Sequence, residues 1–199
     1  MNPPPPRLIL ASRSPRRREL LRQAGYRFDV VVPDGVDERQ HSGELPEALV
    51  ARLAHEKAAD VARRVERALV LGCDTVAECG GQVLGKPRNR DHAREMLLAL
   101  SGRPHRVLSG LCLWPVPEQS PTVRVAQTVL RMDPLSPRQL NEYLDGGQWE
   151  GKAGAFGYQD RLGWVHVVEG SETNVVGLPT ELLAQMLHEI GNGNTLTCT

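Results

Sequence analysis

The residues best suited to chemistry in this chain are cations placed where a fold has no structural use for them. In "LILASRSPRRREL" (8–20) a short apolar run is followed by Ser12, by Ser14 and Pro15, and then by Arg16, Arg17 and Arg18. Ser14 reads as a helix N-cap and Pro15 as the first helical residue, where its missing N–H costs nothing. The arginines therefore fall in a first turn that already carries roughly half a positive charge, and each is disfavoured there by about 0.3–1 kcal/mol. The same arrangement becomes favourable around a polyanion, because free N–H groups, helix dipole and guanidinium forks converge on one place. Arg16 and Arg17 are expected to face that place together with Ser12, and Arg18 to splay into solvent.

A second cation stands in an apolar stripe. On a helical wheel over 46–67, Val50, Leu53, Ala54, Ala58 and Val61 form the core-facing side, and Lys57 lies in its middle. It either snorkels to the surface or reaches an anion at the sheet edge. "VLGCDTV" (70–76) puts Asp74 directly after a buried strand. A buried carboxylate there needs a cation, a metal or a nest of N–H groups, the plainer alternative being a cap or turn. "VDE" (36–38) supplies two more carboxylates after another strand. Two or three carboxylates at strand ends suit Mg²⁺ or Mn²⁺, with substrate phosphates completing the shell.

"GGQVLGK" (80–86) matches G-x-x-x-x-G-K, but Pro87 stands where a phosphate loop needs Ser or Thr, and the stretch spans a hairpin rather than joining strand to helix. It is not a P-loop, although Lys86 remains a candidate cation on the strand paired with that of Asp74. In "KAGAFGYQ" (152–159) small residues alternate with Phe156, Tyr158 and Gln159. Such a loop allows close backbone approach, an aromatic wall and an amide able to read the edge of a base; the alternative is a connector whose aromatics cover the core.

The elements that must position these residues alternate between strand and helix, so an α/β domain is expected. Strands are predicted over 8–11, 28–32, 68–72, 82–84, 105–114, 122–132 and 164–169, with a hairpin turn at Gly80 and Gly81. Helices are predicted over 15–24, 46–67, 91–100, 137–144 and 179–190. Residues 1–6 are expected to be a disordered extension, 7–190 the domain and 191–199 a flexible tail.

Composition narrows the function classes. Lysine plus arginine and aspartate plus glutamate number 24 each in 199 residues, so no global basic field gathers nucleic acid. No run approaches a membrane span of about 18 apolar residues, and the first seven residues hold four prolines instead of a leader pattern, so a cytoplasmic protein is expected. Cys73, Cys79, Cys112 and Cys198 are scattered, without the spacing of a zinc site or a disulfide framework.

Taken together, "LILASRSPRRREL", "VDE", "LAHEKA", "VLGCDTV", "LGKP", "KAGAFGYQ" and "VVGLP", in this order over about 8–187, resemble the Maf family of nucleoside triphosphate pyrophosphatases. The resemblance implies a long twisted mixed β-sheet flanked by helices with a deep cleft, of the Maf/Ham1 or inosine triphosphate pyrophosphatase type, in a homodimer. It implies hydrolysis of a nucleoside triphosphate to the monophosphate and pyrophosphate with a divalent metal cation, Mg²⁺ or Mn²⁺. Ser12, Arg16, Lys57 and Lys86 would bind phosphate; Glu38 and Asp74 would hold the metal, Asp74 also serving as base for the attacking water. Arg17, Thr75 and Gln159 follow the branch that acts on dTTP and UTP, rather than the branch associated with 7-methyl-GTP. Phe156 replaces a usual tyrosine and Cys73 a common alanine. The alternative within the same resemblance is a nucleotide-binding regulator of cell division with little catalysis; neither reading involves nucleic acid or a membrane.

Overall fold

The computed structural model describes residues 7–117, 120–160 and 162–193. The extension expected over 1–6 and residues 194–199 of the expected tail lie outside these. Seven strands form one mixed sheet. They are β1 (Leu8–Ala11), β2 (Phe28–Val30), β3 (Ala68–Cys79), β4 (Gln82–Leu84), β5 (Pro104–Val116), β6 (Thr122–Met132) and β7 (Val165–Glu169). Their order is β2-β1-β3-β5-β6-β7, with β4 paired to β3. β1 runs parallel to both β2 and β3, while the β3–β5, β5–β6 and β6–β7 pairs are antiparallel. The helices are α1 (Pro15–Gln23), α2 (Pro46–Ala62), α3 (Arg90–Leu100), α4 (Pro137–Asp145), α5 (Glu172–Val176) and α6 (Thr180–Gly193).

Side-chain alternation along β3 divides the molecule into layers. Leu69, Leu71 and Cys73 pack with Leu20 and Leu21 of α1 and with Leu183 and Met186 of α6. Ala68 and Val70 pack instead with Ala54, Ala58 and Val61 of α2. A further core joins Ala77, the apolar faces of α3 and α4, and Phe156 and Trp164 around the far ends of β5 and β6.

Two glycines set how closely α2 lies on the sheet. A Cβ on Gly72 would stand 2.1 Å from the Ala54 carbonyl oxygen, and one on Gly110 would stand 2.1 Å from that of Val50. Only the absence of a side chain at both positions lets the backbone of the helix rest on β3 and β5.

Several boundaries differ from the sequence reading. α2 ends at Ala62 rather than Arg67, because the chain must turn in time for β3 to begin at Ala68. β3 continues through Asp74 and Thr75 instead of ending before them, since β5 pairs with it from Ala68 to Glu78. β2 closes at Val30, α6 continues to Gly193, and α5, only five residues long, has too little periodicity to be read.

Candidate active site

β1 stops at Ala11, opposite Gly72, while β3 continues. Beyond that point two consecutive β3 side chains lie on opposite faces of an uncovered stretch: Asp74 towards α2 and Thr75 towards α1. A cleft of about 760 Å³ opens there, lined by the start of α1, by 35–38, by Lys57 and Lys86, and by parts of the glycine-rich loop and of 175–177. A crevice beyond the carboxyl end of a parallel strand is where open α/β sheets bind ligands.

Lys57 does not snorkel. Its side chain is 8% exposed, and Nζ lies 2.6 Å from Asp74 Oδ1 and 2.6 Å from Glu38 Oε1. Asp74 is nearly as buried, whereas half of the Glu38 side chain remains in solvent. Burial pushes the Glu38 carboxyl up, but the Lys57 hydrogen bond and the charges of Lys57, Lys86 and Arg17 outweigh it, so its pKa lies below the usual value. Two carboxylates facing one ammonium mark a place where positive charge is stabilised. Among the described residues no three His, Cys, Asp or Glu side chains gather as a metal cage. A two-carboxylate set suits a hard cation that shares its shell with substrate phosphates, and suits a structural zinc poorly.

On the opposite wall Ser14 caps α1 through the Arg17 N–H, with Pro15 in the first turn as the sequence indicates. Arg17 is fixed by three acceptors: Nε donates to the Gly177 carbonyl at 2.8 Å, Nη2 to Thr75 Oγ1 at 3.1 Å and Nη1 to Ser12 Oγ at 3.3 Å. Thr75 shares a further 2.8 Å hydrogen bond with Ser109. Arg16 Nη2 donates to the Gly151 carbonyl at 2.9 Å. Burial and the neighbouring Arg17 charge lower the Arg16 pKa against the pull of Asp160. Arg18 departs from expectation: it is only partly exposed, its buried Nε has no hydrogen-bond partner among the described residues, and it does not line the cleft.

The glycine-rich loop forms two short 3₁₀ turns, Ala153–Ala155 and Tyr158–Asp160. Ala155 sits at φ 61°, a left-handed conformation that costs an L-residue about 1–2 kcal/mol. Phe156 is buried on the cleft wall, its ring edge-on to His105, and exposed Gln159 lines the opening. Tyr158 turns elsewhere, its hydroxyl donating to Glu172 at 2.8 Å. Lys86 is exposed within the lining.

The structure thus brings Ser12, Arg16, Arg17, Glu38, Lys57, Asp74, Thr75, Lys86 and Gln159 to one cleft. Sequence reasoning assigned no role to Lys152 and Asp160, which pair inside the loop with Tyr143 donating to the same carboxylate, nor to Arg13 and the Gly177 carbonyl. The opposite charges of Lys152 and Asp160 in a glycine-rich loop were the available signal for the first two. A backbone carbonyl leaves none.

A mixed sheet with a cation-rimmed cleft over a carboxylate-flanked lysine defines an α/β protein built around a charged crevice. The chain belongs to the Maf family, whose model, described as Maf-like protein, matches residues 7–190. It is similar to the dTTP/UTP pyrophosphatase of Rhodopirellula baltica, 53% identical over 94% of this chain and 83% of the relative. The dTTP/UTP pyrophosphatase of Symbiobacterium thermophilum is 46% identical over 92% of this chain and 94% of the relative. A dITP/XTP pyrophosphatase structure from Mycobacterium abscessus aligns at TM-score 0.45 and 15% identity, over 96% of this chain and 99% of that one, too loosely to add to the assignment.

Proposed function

We propose that this protein hydrolyses nucleoside triphosphates, dTTP and UTP foremost, to the monophosphate and pyrophosphate. The observation that carries the reading is Lys57, buried between Glu38 and Asp74 at the floor of a cleft rimmed by arginines. Phosphoryl transfer needs positioning and charge neutralisation above all, and this cleft offers fixed cations on two walls.

In this reading Ser12, Arg16, Lys57 and Lys86 bind the triphosphate, and the α1 N-terminus adds its helix dipole. Arg17, already held by three acceptors, reaches substrate with little reorganisation. Glu38 and Asp74 would hold Mg²⁺ or Mn²⁺, which when bound supplies neutralising charge to the phosphate oxygens. Asp74 accepts a proton as water adds to the α-phosphorus and the bridging oxygen departs with pyrophosphate. Gln159 pairs with the amide edge of thymine or uracil beside Phe156. Residues 7–190 act as the working unit, in a cytoplasmic homodimer.

Purified protein with Mg²⁺ or Mn²⁺ and a panel of dTTP, UTP, CTP, GTP, ATP and 7-methyl-GTP tests this directly. Monophosphate plus pyrophosphate from dTTP and UTP is the expected outcome. Release of inorganic phosphate instead, or preferential turnover of 7-methyl-GTP, would overturn the reaction or the assigned base specificity respectively.

A further inference from the structure

Glu38 lies in a stretch, 31–45, that contains neither helix nor strand, yet its carboxylate is held 2.6 Å from Lys57. Several of the contacts that fix this stretch come from α2, the helix that carries Lys57, and from Arg64 just past its end. At its start Arg64 donates to the Val32 carbonyl at 2.8 Å and Asp60 accepts the Asp34 N–H at 3.0 Å. In the middle Val36 packs against the cluster that Leu49, Val50 and Leu53 of α2 form with Val76 and Leu108. At its end Arg52 closes a fork on Glu44, with Nε and Nη2 at 2.7 and 2.9 Å from the two carboxylate oxygens.

The same Nη2 also donates, at 3.0 Å, to the carbonyl of Arg39, the residue immediately after Glu38. Nη1 reaches Glu56 at 3.3 Å, which fixes the guanidinium on the helix. The Arg52 and Glu44 side chains are 19% and 10% exposed, so water competes little for these bonds. Glu44 accepts the His41 N–H at 3.0 Å as well, tying the loop to itself.

We infer that Arg52 and Glu44 are positioning residues for Glu38: the guanidinium measures out the loop against α2, so that the Glu38 carboxylate meets the metal and Lys57 at a fixed spacing. Neither residue lines the cleft. The inference rests on the proposed role of Glu38 as a metal ligand. A bidentate arginine suits the task because its rigid planar fork holds carboxylate and carbonyl in a fixed relative geometry, whereas an ammonium is a rotating point charge.

The test uses the full chain and three variants, Arg52→Met, Glu44→Gln and Glu38→Gln. Hydrogen exchange of the 36–42 amides is followed without metal, and Mn²⁺ binding is measured beside an α,β-methylene analogue of dTTP. Arg52→Met is expected to speed exchange in this segment and to weaken Mn²⁺ binding about tenfold, the usual size for losing a group that orients a ligand. Glu44→Gln should move both readouts in the same direction, and it serves if Arg52→Met does not fold. Mn²⁺ binding unchanged within about twofold in Arg52→Met and Glu44→Gln, while Glu38→Gln weakens it, would overturn the positioning role. Unchanged Mn²⁺ binding in Glu38→Gln would instead overturn Glu38 as a ligand.

Discussion

At the scale of the residue, the asymmetry of the Lys57 triad decides what substitution does. One ammonium serves two carboxylates, so removing either carboxylate leaves Lys57 paired, whereas removing Lys57 leaves two anions facing each other. Glu38 can turn into water, but Asp74 cannot. Lys57→Met is therefore expected to destabilise by about 3 kcal/mol, and adding Asp74→Asn to that variant to recover part of the loss without restoring turnover. Urea midpoints of the two variants check this. Asp74→Asn alone should lower kcat by about 10²- to 10⁴-fold while shifting stability by no more than about 1 kcal/mol. Near-normal kcat would remove Asp74 from the chemistry. Arg17→Lys should raise KM for dTTP by about tenfold or more, because a lysine replaces a three-acceptor fork with one mobile point charge.

At the scale of the element, the site depends on how closely α2 approaches the sheet. Gly72 stands two residues before Asp74, and Gly110 is the register partner of Asp74 across β3 and β5. A methyl at Gly72 would meet helix backbone, not a yielding side chain tip, so Gly72→Ala should push α2 outward. The expected loss is about 1–3 kcal/mol of stability with a larger fall in activity, because Lys57 moves with the helix; denaturation and kinetics on the same preparation measure both. Much of this level was legible beforehand. Ser14 with Pro15 announced α1, and the wheel exposed Lys57 as out of place on an apolar stripe. The two glycines were silent, since their reason lies in a helix distant from them in sequence: Ala54 and Ala58 for Gly72, Val50 for Gly110. The Glu38 loop was silent too, for it is ordered by α2 and not by any local pattern.

At the scale of the whole molecule, a buried histidine couples the fold to pH. His105 is 3% exposed, packs against Phe156, and has no partner for Nε2 among the described residues. Burial lowers its pKa below 6.5, against weaker opposing effects of the Arg103 carbonyl and the Glu78 charge. The unfolded chain then binds more protons than the native one at mildly acidic pH, so this group's stability contribution is full above about 6.5 and declines as pH falls below it. His105→Leu should flatten that decline relative to the parent, as read from urea midpoints between about pH 7 and 5. An equal slope in both proteins would show that His105 does not set it.

The bond from Arg17 to the Gly177 carbonyl joins residues 160 positions apart. On a ribosome, the first half of the cleft emerges long before its last acceptor exists. Until Gly177 is made, Arg17 has Ser12 and Thr75 as acceptors but lacks its third, so the fork is completed only by the segment before α6.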